Sequence, residues 1–281
     1  VTLEEALRAA EADLTAAGIE DAWLEAEVLL RHALGLDRAH LLSRLRERLP
    51  PAQGAAFRAL LKRRLAHEPT AYIVGHREFY GLELETTPAA LIPRPETELL
   101  VDEVLNALTA DRPRLIADVG TGNGAVAVAL AANLPAAAVH AVDTSEAALA
   151  LARRNADRHS VADRIHFHCG DLLDPLPEPV DAIAANLPYV KSNDWKALPP
   201  EIREHEPRAA LDGGPTGLRE VERLLRQAPD RLHPGGLLAV EIGWDQREEA
   251  SAIARECFPQ AGVSVKRDMA GLGRLLVVRA A

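Results

Sequence analysis

Residues 115–124 read Leu115-Ile116-Ala117-Asp118-Val119-Gly120-Thr121-Gly122-Asn123-Gly124, and a run rich in Ala, Val and Leu follows at once. A short apolar run closed by glycines predicts a buried strand, and the longer run behind the last glycine predicts a helix. Glycines in such a turn let the backbone bend sharply and approach a ligand, since a Cβ would collide with it or forbid positive φ. The spacing is Gly-x-Gly-x-Gly, not the Gly-x-Gly-x-x-Gly of a dinucleotide loop, whose turn and helix N-terminus hold a pyrophosphate anion. Asp118 stands two residues before the first glycine. A carboxylate there suits a cation, such as the ammonium of a methionine moiety.

Strand and helix patterns alternate on both sides of this loop. The predicted strands are Leu115–Val119, Ala138–Val142, Ile165–Cys169, Ala182–Ala185, Leu237–Ile242, Val263–Lys266 and Leu275–Val278, with helical patterns over 96–109, 124–133, 145–158, 217–232 and 246–257. That alternation predicts a doubly wound α/β sheet, which binds its ligands at the carboxyl ends of the strands. Two more acids fall at such ends. Asp143 follows Gly120 by 23 residues, where a carboxylate accepts from ribose hydroxyls, and Asp171 ends the third strand, where one accepts from an adenine amino group. An Asp at a strand end is ordinarily a turn or cap residue. Three at successive ends beside the glycine loop point to S-adenosylmethionine, with S-adenosylhomocysteine as product.

The fourth strand runs into Asn186-Leu187-Pro188-Tyr189. Alone, the tetrapeptide reads as a strand-ending turn with a packed Tyr. Beside a methyl donor it suits transfer to a planar NH₂ group, whose lone pair is conjugated and whose nitrogen must pyramidalise. The Asn186 side-chain oxygen and the Leu187 carbonyl can each accept one N–H and aim the lone pair at the methyl group. Tyr189 can press on the planar group, and Pro188 fixes the turn. No general base is required, because the product cation loses its proton readily. The motif serves adenine and cytosine as well as glutamine amides.

Upstream, Thr2 with Glu5 forms a capping box ahead of Leu7, Ala10, Leu14 and Ala17 at helical spacing, with Gly18 as the stop. Further helices are predicted from Asp21 to Gly35, after Asp37, and after Pro50-Pro51 through Leu61, so residues 1–68 read as a helical bundle. Residues 69–95 read as a β-hairpin linker, from Tyr72-Ile73-Val74-Gly75 and Phe79-Tyr80-Gly81-Leu82-Glu83-Leu84, and residues 96–281 as the sheet domain.

The whole chain has 281 residues, enough for two domains at about 100–200 residues each, with 32 Lys and Arg against 42 Asp and Glu. Residues 1–70 carry 10 basic and 11 acidic side chains, leaving 22 basic and 31 acidic for the rest. An acidic catalytic half with 4% aromatic residues is poorly suited to neutralising phosphates, which argues against direct nucleic-acid binding. Arg38, Arg44, Arg46, Arg48, Lys62, Arg63 and Arg64 read first as solvated helix faces, and second as a basic face toward RNA or an acidic partner. Cys169 and Cys257 form neither a disulfide framework nor a metal motif, and the ten His residues show no metal spacing. His166 and His168 alternate on one strand as a packed or solvated face. Glu204, His205 and Glu206 read as a loop with a structural or substrate-contact role. No run approaches a membrane span and no leader pattern is seen, which with the isolated cysteines leads to the expectation of a cytoplasmic protein with no membrane partner; separately, a monomer is expected. Val1 in place of Met is compatible with trimming of a few residues or a short targeting segment.

Glu68-Pro69-Thr70-Ala71-Tyr72-Ile73-Val74-Gly75, Arg77-Glu78-Phe79-Tyr80-Gly81-Leu82, Ile92-Pro93-Arg94-Pro95-Glu96-Thr97-Glu98, Glu206-Pro207-Arg208-Ala209-Ala210-Leu211 and Gly213-Gly214 closely resemble the release-factor glutamine methyltransferases, the HemK family. The resemblance covers nearly the whole chain. It implies a seven-stranded class I S-adenosylmethionine-dependent methyltransferase sheet behind an N-terminal helical bundle, and the bundle and hairpin are expected to choose the substrate. It implies methylation of the glutamine amide in the Gly-Gly-Gln loop of peptide chain release factors. Gly120, Thr121, Gly122, Asn123, Gly124 and Asp143 would then hold the cofactor, and Asn186, Leu187, Pro188 and Tyr189 the glutamine. Two positions depart from the family. Leu187 stands where Pro is usual, although the backbone carbonyl remains, and Leu172 stands where some members place an aromatic beside adenine. A paralogue acting on a ribosomal-protein glutamine, a nucleic-acid adenine methyltransferase and an inactive cofactor-binding scaffold are the competing readings. The intact Asn186, Pro188 and Tyr189 speak against the scaffold.

Overall fold

The computed structural model describes residues 1–108 and 114–281, so Thr109, the end of the pattern predicted over 96–109, lies outside the described residues. The described chain divides into two compact units, Val1–His76 with Pro199–His205, and Arg77–Leu198 with Glu206–Ala281. The expected divisions at 68/69 and 95/96 therefore fall elsewhere: residues 69–76 belong with the helices and 77–95 with the sheet.

In the first unit, α1 (Leu3–Ala16), α2 (Ala22–Leu34), α3 (Arg38–Ser43), α4 (Pro51–Leu65) and α5 (Thr70–Val74) enclose a core of Leu7, Leu14, Leu29, Leu30, Leu41 and Phe57. The Thr2 capping box is present, with Glu5 N–H donating to the Thr2 hydroxyl at 3.2 Å and Thr2 N–H to Glu5 at 2.8 Å. α5 corrects the expected strand at Tyr72–Val74. Tyr72 and Ile73 N–H groups turn back to the Pro69 carbonyl, and Gly75 at φ 84° ends the single turn. Three consecutive apolar residues carry no period that separates a buried turn of helix from a strand. Four of the seven basic residues singled out above are ion-paired within this unit: Arg38 with Glu27 (3.0 Å), Arg44 with Glu47 (2.8 Å), Arg63 with Glu68 (2.5 Å) and Arg64 with Glu25 (2.9 Å). Arg64 is itself buried, and it also reaches Glu201 at 3.4 Å in α9 (Pro200–His205). Four of the seven are thus compensated by acids of the same unit.

A hairpin of β1 (His76–Phe79), whose first residue still belongs to the first unit, and β2 (Leu82–Glu85) begins the sheet unit and buries Phe79 and Leu84 in its core. The sheet strands are β3 (Arg114–Val119), β4 (Ala137–Asp143), β5 (Ile165–Cys169), β6 (Val180–Asn186), β7 (Leu232–Glu241), β8 (Gly262–Arg267) and β9 (Gly273–Arg279). They lie in the order β5-β4-β3-β6-β7-β9-β8. The first five run parallel, and β9 is antiparallel to both β7 and β8. α6 (Glu98–Ala107), α7 (Ala125–Asn133), α8 (Glu146–Arg158), α10 (Arg219–Gln227) and α11 (Arg247–Cys257) cover the faces, and two apolar layers, one on each side of the sheet, form the core. The pattern predicted over 217–232 overshoots α10, because Pro229 sits in a short 3₁₀ turn and β7 has begun by Leu232. The chain builds outward from β3 to β5, then returns to β6 on the other side of β3, which creates a crevice at the carboxyl ends where the order reverses.

Candidate active site

A cleft of about 720 Å³ opens at that crevice. Its walls include Asp118, Gly120, Thr121, Gly122 and Asn123 after β3, Asp143 after β4, Asp171 and Leu172 after β5, and Asn186, Leu187 and Pro188 after β6. Gly124 and Tyr189, which sequence reasoning placed in the same site, do not line it. Gly124 instead starts α7 at φ 84°, where a Cβ would meet Ala152 of α8 at 3.0 Å, so this glycine serves helix packing.

The glycine loop is held from below. Gly120 and Thr121 N–H groups both donate to the Val142 carbonyl of β4, at 2.9 and 3.0 Å. Asp118 is buried, and its Oδ2 accepts from the Thr121 hydroxyl at 2.6 Å and from Ala127 N–H at 3.0 Å. The carboxylate thus acts as a cap on the first turn of α7, where the helix leaves N–H groups unpaired and its dipole favours negative charge. Burial pushes the Asp118 pKa up to about 7, against the pull of those hydrogen bonds. Asn123 is also used internally: its Oδ1 accepts from Ala125 N–H at 3.3 Å, and its Nδ2 donates to the Glu85 carbonyl at 3.4 Å.

Asp143 spans two loops, accepting Gly122 N–H on Oδ2 and Ser145 N–H on Oδ1, both at 2.9 Å. One N–H of the glycine loop is therefore already occupied by a carboxylate. A phosphate placed there would face that negative charge at close range, whereas a sulfonium or ammonium would be attracted to it. Asp171 is partly exposed and paired with Arg223, and Leu172 is buried against the cleft at φ 47°. Other arginines of the cleft wall are similarly engaged, Arg94 with Glu206 and Arg208 with Asp212 at 2.9 Å.

The Asn186–Tyr189 segment is locked from several directions. A Cβ on Gly120 would lie 3.1 Å from Leu187 Cδ2 and 3.3 Å from the Asn186 carbonyl, so the two loops touch through the missing side chain. A Cβ on Gly217 would come within 2.3 Å of the Tyr189 carbonyl, which also accepts from Gln246 Nε2 at 2.9 Å. Behind the segment, Val190 N–H donates to the Leu211 carbonyl at 2.9 Å and Gly213 N–H to the Val190 carbonyl at 2.8 Å. The run from Glu206 to Gly214 thus braces the tetrapeptide. Glu206 is buried, accepting Ile92 N–H at 3.1 Å and pairing with Arg94, in keeping with a structural role. Glu204 and His205 lie in α9 instead of the expected loop.

Two residues at the site were not singled out by sequence reasoning. Asn186 Nδ2 donates to Thr97 Oγ1 at 3.0 Å, the Thr97 hydroxyl donates to Glu241 Oε2 at 2.7 Å, and the Tyr189 hydroxyl donates to Glu241 Oε1 at 3.2 Å. Glu241 is 1% exposed and Thr97 5%. Burial raises the Glu241 carboxyl above the usual range, while the Thr97 and Tyr189 hydrogen bonds and Arg274 oppose the rise. The available signal was a charged residue ending the apolar run Leu237-Leu238-Ala239-Val240, since an unpaired Glu is rarely buried.

Away from the cleft, His168 Nε2 lies 2.9 Å from His140 Nδ1 on the β4–β5 face, and the His166 ring centroid is 5.3 Å from that of His140. Among the described residues no group of three or more His, Cys, Asp or Glu is arranged to hold a metal, and no helix is long and apolar enough to cross a membrane.

Comparison with known proteins accords with this geometry. Residues 5–75 match the family model of the PrmC N-terminal domain, and residues 116–205 match a methyltransferase domain. The chain is 45% identical to a release factor glutamine methyltransferase of Moorella thermoacetica over 98% of its length and 97% of the relative's. It is 47% identical to that of Geobacter sulfurreducens over 82% and 80%, and 42% identical to that of Cereibacter sphaeroides over 98% and 97%. The crystal structure of a methyltransferase from Pyrococcus furiosus aligns with a TM-score of 0.52 at 18% identity, covering 72% of this chain and 90% of that one, which is a likeness of fold. With the glycine loop, the strand-end carboxylates and the Asn186 segment gathered at one crevice, and full-length relatives at this level of identity, the chain belongs to the release factor glutamine methyltransferase family.

Proposed function

We propose that this enzyme transfers a methyl group from S-adenosylmethionine to the side-chain amide nitrogen of the Gly-Gly-Gln glutamine in a peptide chain release factor. The observation that carries the reading is the meeting of Asn186 and Leu187 with the acidic glycine loop in one cleft. S-adenosylmethionine supplies an electrophilic methyl group on a sulfonium. Asp143 would accept from the ribose hydroxyls while keeping its two backbone bonds, which its four lone-pair sites allow. Asp118 and the backbone of Gly120–Asn123 would hold the methionine end, and Leu172 with Asp171 the adenine. Asn186 Oδ1 and the Leu187 carbonyl each accept one N–H of the glutamine amide, turning its lone pair outward and easing pyramidalisation. Tyr189 supports this arrangement through its bond to Glu241.

The relatives' names favour a release factor over a ribosomal-protein or nucleic-acid substrate. The N-terminal helical unit is assigned to recognition of the macromolecule. The test is transfer of labelled methyl to purified release factor, ribosomal protein and RNA in parallel, repeated with Asn186→Ala. Release factor alone should be labelled, and Asn186→Ala should slow single-turnover transfer roughly 10²–10³-fold with cofactor affinity retained. Labelling of RNA, or a wild-type rate for the variant, would overturn the reading.

A further inference from the structure

An asparagine amide has two orientations of nearly identical shape, and only its hydrogen bonds select between them. The proposed reaction needs one of the two. Oδ1 must face the substrate N–H groups, because an NH₂ turned the same way would oppose them donor to donor. In this structure the selection runs from Asn186 through Thr97, at the cleft wall, to Glu241 behind it. Thr97 has one O–H and two lone pairs, and on its far side stands Glu241, which takes the Thr97 hydroxyl on Oε2 and the Tyr189 hydroxyl on Oε1; burial raises its pKa against those two bonds and Arg274, and in the ionised form it only accepts. The hydroxyl proton is therefore committed to Glu241, and a lone pair is what Thr97 presents to Asn186. Asn186 must answer with its NH₂, which it does at 3.0 Å. Tyr189 donates to the other Glu241 oxygen, so hydroxyl donors occupy both ends of the carboxylate.

We propose that Glu241, acting through Thr97, is a positioning residue that fixes the Asn186 amide with Oδ1 toward the substrate. Glu241 touches no substrate: it does not line the cleft, whereas Thr97 and Asn186 do. The inference rests on the function proposed above and names the device that orients its central residue. It also accounts for a buried acid at the end of β7 in a reaction that requires no base.

The experiment is a mutant cycle read by single-turnover transfer to intact release factor, with cofactor affinity measured by calorimetry. Thr97→Val keeps the shape and removes the lone pair. It should slow transfer roughly 10- to 100-fold, the scale of a misoriented reacting group, with cofactor affinity within about twofold of wild type. Thr97→Ser should recover most of that rate. On an Asn186→Ala background Thr97→Val should cost nothing further, since its effect passes through Asn186. Glu241→Met, which offers Thr97 no strong acceptor and frees its hydroxyl proton to turn toward Asn186, should behave like Thr97→Val, and a wild-type rate in a folded Glu241→Met would overturn the role of Glu241. A wild-type rate for Thr97→Val, or losses that multiply across the two sites, would overturn the inference. If Asn186→Ala itself transfers at the wild-type rate, the proposed use of Asn186 fails instead, and the two failures are told apart.

Discussion

Asp143→Asn is a sharper probe of the cofactor site than removal of the side chain, because the two backbone donors that Asp143 holds fall on different oxygens. Gly122 N–H bonds to Oδ2 and Ser145 N–H to Oδ1, each at 2.9 Å. An asparagine can offer oxygen to only one of them, and whichever way it turns, its NH₂ meets an N–H. One loop anchor is lost, and one of the acceptors proposed for the ribose is replaced by a donor. A net hydrogen bond contributes about 0.5–1.5 kcal/mol, and one to a charged acceptor about 1.5–3 kcal/mol. Both anchors are part-buried, which lets water replace some of the loss. We expect Asp143→Asn to cost about 1–2 kcal/mol of cofactor affinity, or roughly 5- to 30-fold in Kd. Asp143→Ala, which loses both anchors and the ribose contacts, should cost about 2–4 kcal/mol. Calorimetry with S-adenosylmethionine and S-adenosylhomocysteine should give the same loss for both ligands, since they share the ribose. Wild-type affinity in Asp143→Asn would mean that the ribose does not sit on this carboxylate.

Gly217→Ala should lower Tm by several degrees, because its Cβ would fall 2.3 Å from the Tyr189 carbonyl at a φ of 77°, and overpacking of this kind costs about 1–3 kcal/mol; a shift under about 1 °C in a thermal melt would remove the brace from the account. Asp118 gives a pH signature. Its folded pKa of about 7 lies above the usual carboxyl value, so the stability it contributes to the cofactor-free protein is full below about pH 4 and is lost as pH rises toward 7, on the order of 4 kcal/mol in total. A cationic ligand favours the ionised form, so cofactor affinity should rise with pH and level off above about pH 7, with proton release on the acid side. Asp118→Asn should flatten both curves in calorimetry and thermal melts, and an unchanged pH profile would show that another group controls them.

The seven sheet strands and the helices between them were legible in the sequence because each is long enough to show its period, and because glycines and prolines mark the ends. The carboxyl-end acids and Asn186 were legible for a related reason: in a parallel sheet, the residue closing each strand is delivered to one edge whatever the loops do. Local conformation was harder where the run was short, as at Tyr72–Val74, whose turn of helix is set by Pro69 and Gly75. What the side chains do once delivered lay beyond local pattern. Asp118 and Asn123 reach the loop as expected, yet part of their hydrogen-bonding capacity is spent on α7 and the β2 backbone, and Tyr189 addresses Glu241 outside the cleft. Thr97 and Glu241 are 144 residues apart, and their hydroxyl–carboxylate bond exists only because the turn before α6 packs over the end of β7. The sequence by itself determined which elements form and which residues end them, since periodicity and turn chemistry act over a few neighbouring residues. Only the tertiary structure decided the polarity of each hydrogen bond, and with it which way Asn186 faces, because a donor's direction depends on partners brought together from distant parts of the chain.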